Sequence, residues 1–238
     1  MFSGVNQFGS AGARAVAKRA GSDPWTFLPV TRRVAASPIV TSEVSLARWC
    51  PYCYRMTLLD TTSAPLVTPA ERSDRLTTAG AAWSDRIAAD TANAQLTYRV
   101  KAAGEGSVAS RITVGKHTFF VDEPGALAGD DIAASPVEYA LGALISCQVV
   151  VYRLYAQALG IQVDEIDIVA EGDLDARRLF GIDETVRAGF SGVRLAISIT
   201  GPESDERYQE LRAVVDAHCP VLDLFANPTP VTVTVFKS

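Results

Sequence analysis

Residues 135–173 read SPVEYALGALISCQVVVYRLYAQALGIQVDEIDIVAEGD. Two periods meet in this stretch. Ser135 suits an N-cap and Pro136 the first turn of a helix. The run from there to Leu159 is apolar on almost every face, and Gly160 supplies a stop. Beyond it, residues 163–174 alternate as a strand does. A helix apolar on every face must be buried all round. A single small domain rarely encloses such a helix, which points to a dimer.

Working outward, residues 69 to about 94 suit a helix. Thr68 can cap it, Pro69 fits its first turn, and Glu71 stands where a capping box needs it. The period then falls to two. QLTYRVKA (95–102), SVASRITVG (107–115) and KHTFFVDEP (116–124) read as two or three antiparallel strands, with a turn at Gly104-Glu105-Gly106. Residues 125–134 form a loop. C-terminal to the central stretch, GFSGVRLAISITG (189–201) is a strand, and Asp205 to Ala217 a helix ending at His218-Cys219-Pro220. PVTVTVFK (230–237) follows Asn227-Pro228 as the last strand. Helices and strands are partly segregated, and nothing forces parallel winding, so the class is α+β.

The chain has 238 residues and a formal net charge of −5. That balance argues against a general nucleic-acid surface. Residues 1–55 hold seven Arg/Lys against two acids, and the remainder 15 against 25. The first segment lacks periodicity and resembles a transit peptide in composition. A disordered extension, or upstream sequence read from too early a start, also fits residues 1–64, with one soluble domain over 65–238. The most apolar run, Val137 to Leu159, is broken by Glu138, Gln148 and Arg153. It reads as a core helix, so no membrane span is expected. Two histidines, His117 and His218, exclude a His-rich metal site.

Four cysteines, Cys50, Cys53, Cys147 and Cys219, are too few for a disulfide scaffold in a chain this long. A reducing, cytoplasmic setting is expected, with any pairing catalytic or sensory. Cys147 lies mid-way along the apolar helix and, alone, also fits a small core residue. Cys219 ends the second helix. The negative dipole end disfavours a thiolate there, which suits a resolving thiol better than an attacking one.

Together, SPVEYALGALISC, the following YAQALGIQVDEIDIVAEGDLD and the later HCPVLD resemble the OsmC/Ohr-like family. So does the terminal PVTVTV, and the likeness runs over residues 95 to 238. The resemblance implies an intertwined homodimer, with antiparallel sheets packed on a long buried central helix. It also implies a thiol peroxidase acting on small organic hydroperoxides, with no bound cofactor and an external dithiol as reductant. Cys147 matches the peroxidatic cysteine and Cys219 the resolving one. A thiol among aliphatics needs a cation or donor to ionise. Family peroxidases use an Arg held by a Glu that directly follows the Pro. Here that place is Val137, and the acid is Glu138. Nine residues on, Cys147 is rotated by roughly 900° and raised by about 13.5 Å. Glu138 therefore either serves a partner subunit's site or caps its own helix. For the Arg, the segment before the helix offers none. Arg99 and Arg111 remain, and Arg111 is the choice.

Cys50-Pro-Tyr-Cys53 resembles a glutaredoxin active-site motif, but the chain leaves no room for that fold around it. A zinc site would need two further ligands that no paired motif supplies. Two other functions stay open beside the peroxidase. One is a non-catalytic module that binds an apolar ligand at the dimer interface, with Cys147 as core. The other is a disulfide oxidoreductase acting through Cys50 and Cys53.

Overall fold

The computed structural model describes residues 67–237. The N-terminal extension and the Cys50–Cys53 motif lie outside the described residues.

Helix α1 spans Pro69–Ala89. Thr68 Oγ accepts from the Glu71 N–H at 3.2 Å, and the Glu71 carboxylate accepts from the Thr68 N–H at 2.8 Å. This reciprocal cap fixes the start. The helix ends five residues before the expected place, because the Asp90 side chain takes the Ala92 N–H and opens a separate 3-10 turn over Thr91–Ala94. Strands β1 (Lys101–Glu105), β2 (Ala109–Val114) and β3 (His117–Val121) then form an antiparallel meander. Residues 95–100 were expected to belong to the first strand. They have no strand partner among the described residues, and Leu96, Tyr98 and Val100 are exposed.

Helix α2 spans Pro136–Leu159, as its caps require. Ser135 and Glu138 repeat the reciprocal cap, and Gly160 takes the left-handed conformation at φ 63°. The approach to α2 is pinned by Asp122, whose carboxylate accepts from the Asp130 and Ile132 N–H groups. The Tyr139 hydroxyl donates to the Phe120 carbonyl at 2.9 Å and ties the meander to the start of α2.

Strands β4 (Glu165–Asp173) and β5 (Gly192–Thr200) pair antiparallel, Glu165 opposite Thr200. Helix α3 (Asp205–His218) packs on α2, and a short helix, α4 (Pro220–Ala226), follows at once. The stretch between the expected helix end and the expected last strand is therefore partly helical, because Pro220 favours a new first turn rather than merely ending the old one. The expected last strand, 230–237, does not form, and the segment has no strand partner among the described residues. Val231, Val233 and Val235 are 82%, 80% and 89% exposed.

The core lies where α2 meets α3 and the inner face of β4–β5. Tyr152, Ala156, Leu211 and Val215 are buried there with Cys219. Arg153 closes the turn after α2 by donating to the Val163 and Asp164 carbonyls. Within one chain α2 buries one face only, and Val137, Tyr139, Val150 and Leu154 stay exposed. The helix is long and apolar enough to cross a bilayer by length and composition, but its buried face is committed to α3, α4 and β4.

Candidate functional site: two thiols at a helix junction

Cys147 and Cys219 are both free thiols. The fold brings them together from elements 72 residues apart in sequence. Cys147 lies in the middle of α2 and packs against the core cluster that contains Cys219. Cys219 is 2% exposed. It is at once the C-cap of α3, where its N–H donates to the Val215 carbonyl, and the N-cap of α4. Cys219 therefore stands at the negative end of one helix dipole and the positive end of another. The sequence reading counted only the first.

Burial pushes the Cys147 thiol above the ordinary cysteine value. A hydrogen bond from the Val221 backbone N–H, in the first turn of α4, pulls it down, and interaction with the Cys219 thiol pushes it up again. The net direction is upward, so the neutral thiol dominates at neutral pH. A nearby donor is present, but no guanidinium contributes to the balance.

Glu138 is engaged at the start of its own helix. Its carboxylate accepts from both the Ser135 N–H and hydroxyl at 2.7 Å, and these bonds hold it below the usual carboxylate value. Of the two roles open to it in sequence, helix capping is the one this geometry contains. Arg111 lies on β2 and pairs with Glu105 of β1 at 2.5 Å, on an open part of the meander. Arg99 lies in the exposed, unpaired segment before β1. The His218 ring donates from Nδ1 to the Val214 carbonyl and packs against Tyr155, with centroids 4.6 Å apart. His117 is exposed on β3. Among the described residues no cluster of three or more His, Cys, Asp or Glu could hold a metal ion.

Three groups escaped the sequence reading. Gln148, next to Cys147, is fully buried, and neither end of its carboxamide has a hydrogen-bond partner among the described residues. It follows directly on a residue singled out for its chemistry, so its place on the buried face was readable from the helical period. Arg187 and Phe190 line a cavity that reaches Cys219. Arg187 comes from a long β4–β5 connection without periodicity, and Phe190 from the start of the strand expected over 189–201, two residues before β5 begins, where no signal marked it as a cavity wall.

Residues 129–234 match the family of OsmC-like proteins. No curated protein matches the sequence. Among solved structures, an OsmC-like protein from Mycoplasma pneumoniae superposes with a TM-score of 0.50 at 16% identity, over 56% of this chain and 89% of its own. An organic hydroperoxide resistance protein OsmC from Legionella pneumophila is 24% identical over 55% of this chain and 89% of its own, with a TM-score of 0.44. An organic hydroperoxide resistance protein of Bacillus subtilis is 24% identical over 54% and 90%, with a TM-score of 0.39. Residues 129–234, which hold both thiols, thus match the OsmC-like family model, and the fold that presents them is OsmC-like.

Proposed function

We propose that the domain is a thiol-dependent peroxidase that reduces organic hydroperoxides through Cys147 and Cys219. The observation that carries this reading is the meeting of two free cysteines, distant in sequence, in one partly buried cluster. The names of the Legionella and Bacillus neighbours support the same chemistry. In the proposed cycle the Cys147 thiolate attacks the terminal peroxide oxygen. The O–O bond breaks, the alkoxide leaves and takes a proton as an alcohol, and Cys147 becomes a sulfenic acid. The Cys219 sulfur then displaces the sulfenic oxygen, which departs as water, and a disulfide forms. An external dithiol exchanges with it and restores both thiols. Val221 N–H is the donor available to the developing thiolate. Glu138 serves the cycle only by starting the helix that carries Cys147, and Arg111 is given no step.

The working unit is proposed to be a homodimer in the cytoplasm. The exposed stripe of α2 and the unpaired segments 95–100 and 230–237 support a second copy as cover. A non-catalytic binding module is the second reading, favoured by the upward shift of the Cys147 thiol.

The test is consumption of cumene hydroperoxide by the purified protein with a dithiol, beside Cys147→Ser and Cys219→Ser. Turnover that vanishes in Cys147→Ser, with a sulfenic acid trapped in Cys219→Ser, is expected. Slow consumption equal in all three proteins would sink the peroxidase and leave the binding module.

A further inference from the structure

A cavity of about 800 Å3 lies between β5, the connection that precedes it and α4. That is within the size range of small-molecule sites. At its floor are Leu144 and Cys219, both closed to solvent. One wall is the inward face of β5, at Leu195 and Ile197. The opposite wall is aromatic. Phe190 stands nearly parallel to Phe225 of α4, with centroids 6.4 Å apart. Phe190 is also pinned from behind by Gly172, where a Cβ would come within 2.6 Å of its ring. The apolar part of the cavity is therefore built on placed groups.

Charge is confined to the rim, where Arg187, Arg212, Asp216 and Asp223 are exposed. Three of these have protein partners. Arg212 pairs with Asp216 at 2.8 Å, and Asp223 accepts from the Asn227 amide at 2.7 Å. Arg187 alone has no hydrogen bond or ion pair with any described residue. The neighbouring connection has carboxylates that could have taken it, but Asp175 and Asp183 are held by Arg177, and Glu184 by Arg178. One planar, bidentate donor is thus left over at the mouth of a cavity with an apolar floor.

We infer that this cavity binds an amphipathic organic anion, with its apolar body over Leu144 and Cys219 and its carboxylate on Arg187. A charged head in the apolar floor would be costly, so the head belongs at the rim. A neutral ligand of the same body would leave Arg187 unused. The inference does not depend on the peroxidase reading, because the ligand need carry no peroxide.

The test uses the full-length reduced protein and two probes that differ only in the head, 8-phenyloctanoate and 8-phenyloctan-1-ol. Calorimetric titration is expected to give about tenfold tighter binding of the acid, the worth of one charge-assisted pair. Arg187→Ala should bring the acid to the affinity of the alcohol, and Arg187→Lys should restore part of the difference. Equal affinity for acid and alcohol, or indifference to Arg187→Ala, would each overturn the inference. No peroxide is present, so a failed peroxidase assay leaves the result standing, and a failed titration leaves the peroxidase reading untouched.

Discussion

Burial and the Val221 N–H act on the Cys147 thiol in opposite directions. Removing the donor should expose the balance. Val221 is the second residue of α4, a place where proline is tolerated. Val221→Pro should move the midpoint of Cys147 alkylation by iodoacetamide to higher pH in a Cys219→Ser background, with the helix retained by circular dichroism. An unmoved profile would remove Val221 from the account. Tyr152 gives a second titration. Burial, with Asp216 nearby, pushes its hydroxyl up to about 12 from the usual 10.0. A raised folded value means that its contribution is complete below pH 10 and is lost as pH climbs towards 12. The loss is on the order of 2 kcal/mol. Urea midpoints of the wild type should therefore fall between pH 10 and 12 by more than those of Tyr152→Phe. Gln148 runs the other way. With no partner for either amide atom among the described residues, it is expected to weaken the core. Gln148→Met should raise stability by about 1 kcal/mol or more, and a drop in the urea midpoint would show that the carboxamide has a partner in solution. Cys147 and Cys219 were legible because the helical period and the paired motifs mark them. The difference between two arginines was not, since Arg111 and Arg187 look alike in sequence, and only folding pairs one with Glu105 and leaves the other without a partner among the described residues.

At the level of elements, the caps decide most of what sequence could tell. Thr68 with Glu71 and Ser135 with Glu138 each answer two orphan donors, and both helices start where those pairs put them. Ser135→Ala should cost about 1 kcal/mol of stability, read as a lower thermal midpoint. Its effect on peroxide turnover should go no further than that loss of fold, since Glu138 is bound up in the cap. What sequence could not tell was α4. Seven residues are too few for a period to declare itself, and Pro220 signals an end as readily as a beginning. The β4–β5 connection hid for another reason. Its order comes from ion pairs among Asp175, Arg177 and Asp183 rather than from a repeating pattern.

The whole molecule is uneven in what it covers. One face of α2 is sealed, while the other face and the tails of the meander and C-terminus carry bare apolar side chains. The alternation of PVTVTVF led to the expectation of a strand, but pairing is a property of neighbours, and the described residues of the single chain offer none to it. A monomer with this much exposed apolar surface is expected to associate. Light scattering should give twice the chain mass. Truncation after Asn227 should lower that mass or send the protein into aggregates. A truncated protein that stays a soluble dimer would assign 230–237 no part in assembly.

Cys219 ends α3 and begins α4 with no residue between them. The corner of the chain is therefore also the atom that touches α2. A covalent link from that corner to Cys147 would act as a rivet through a hinge. Helices α2, α3 and α4 would then be tied at one point and would have to open as one. Oxidation state would be written into the exchange rates of amides well away from either sulfur, in the last turn of α3 and the whole of α4, and a mass spectrometer could follow the chemistry without seeing the thiols at all.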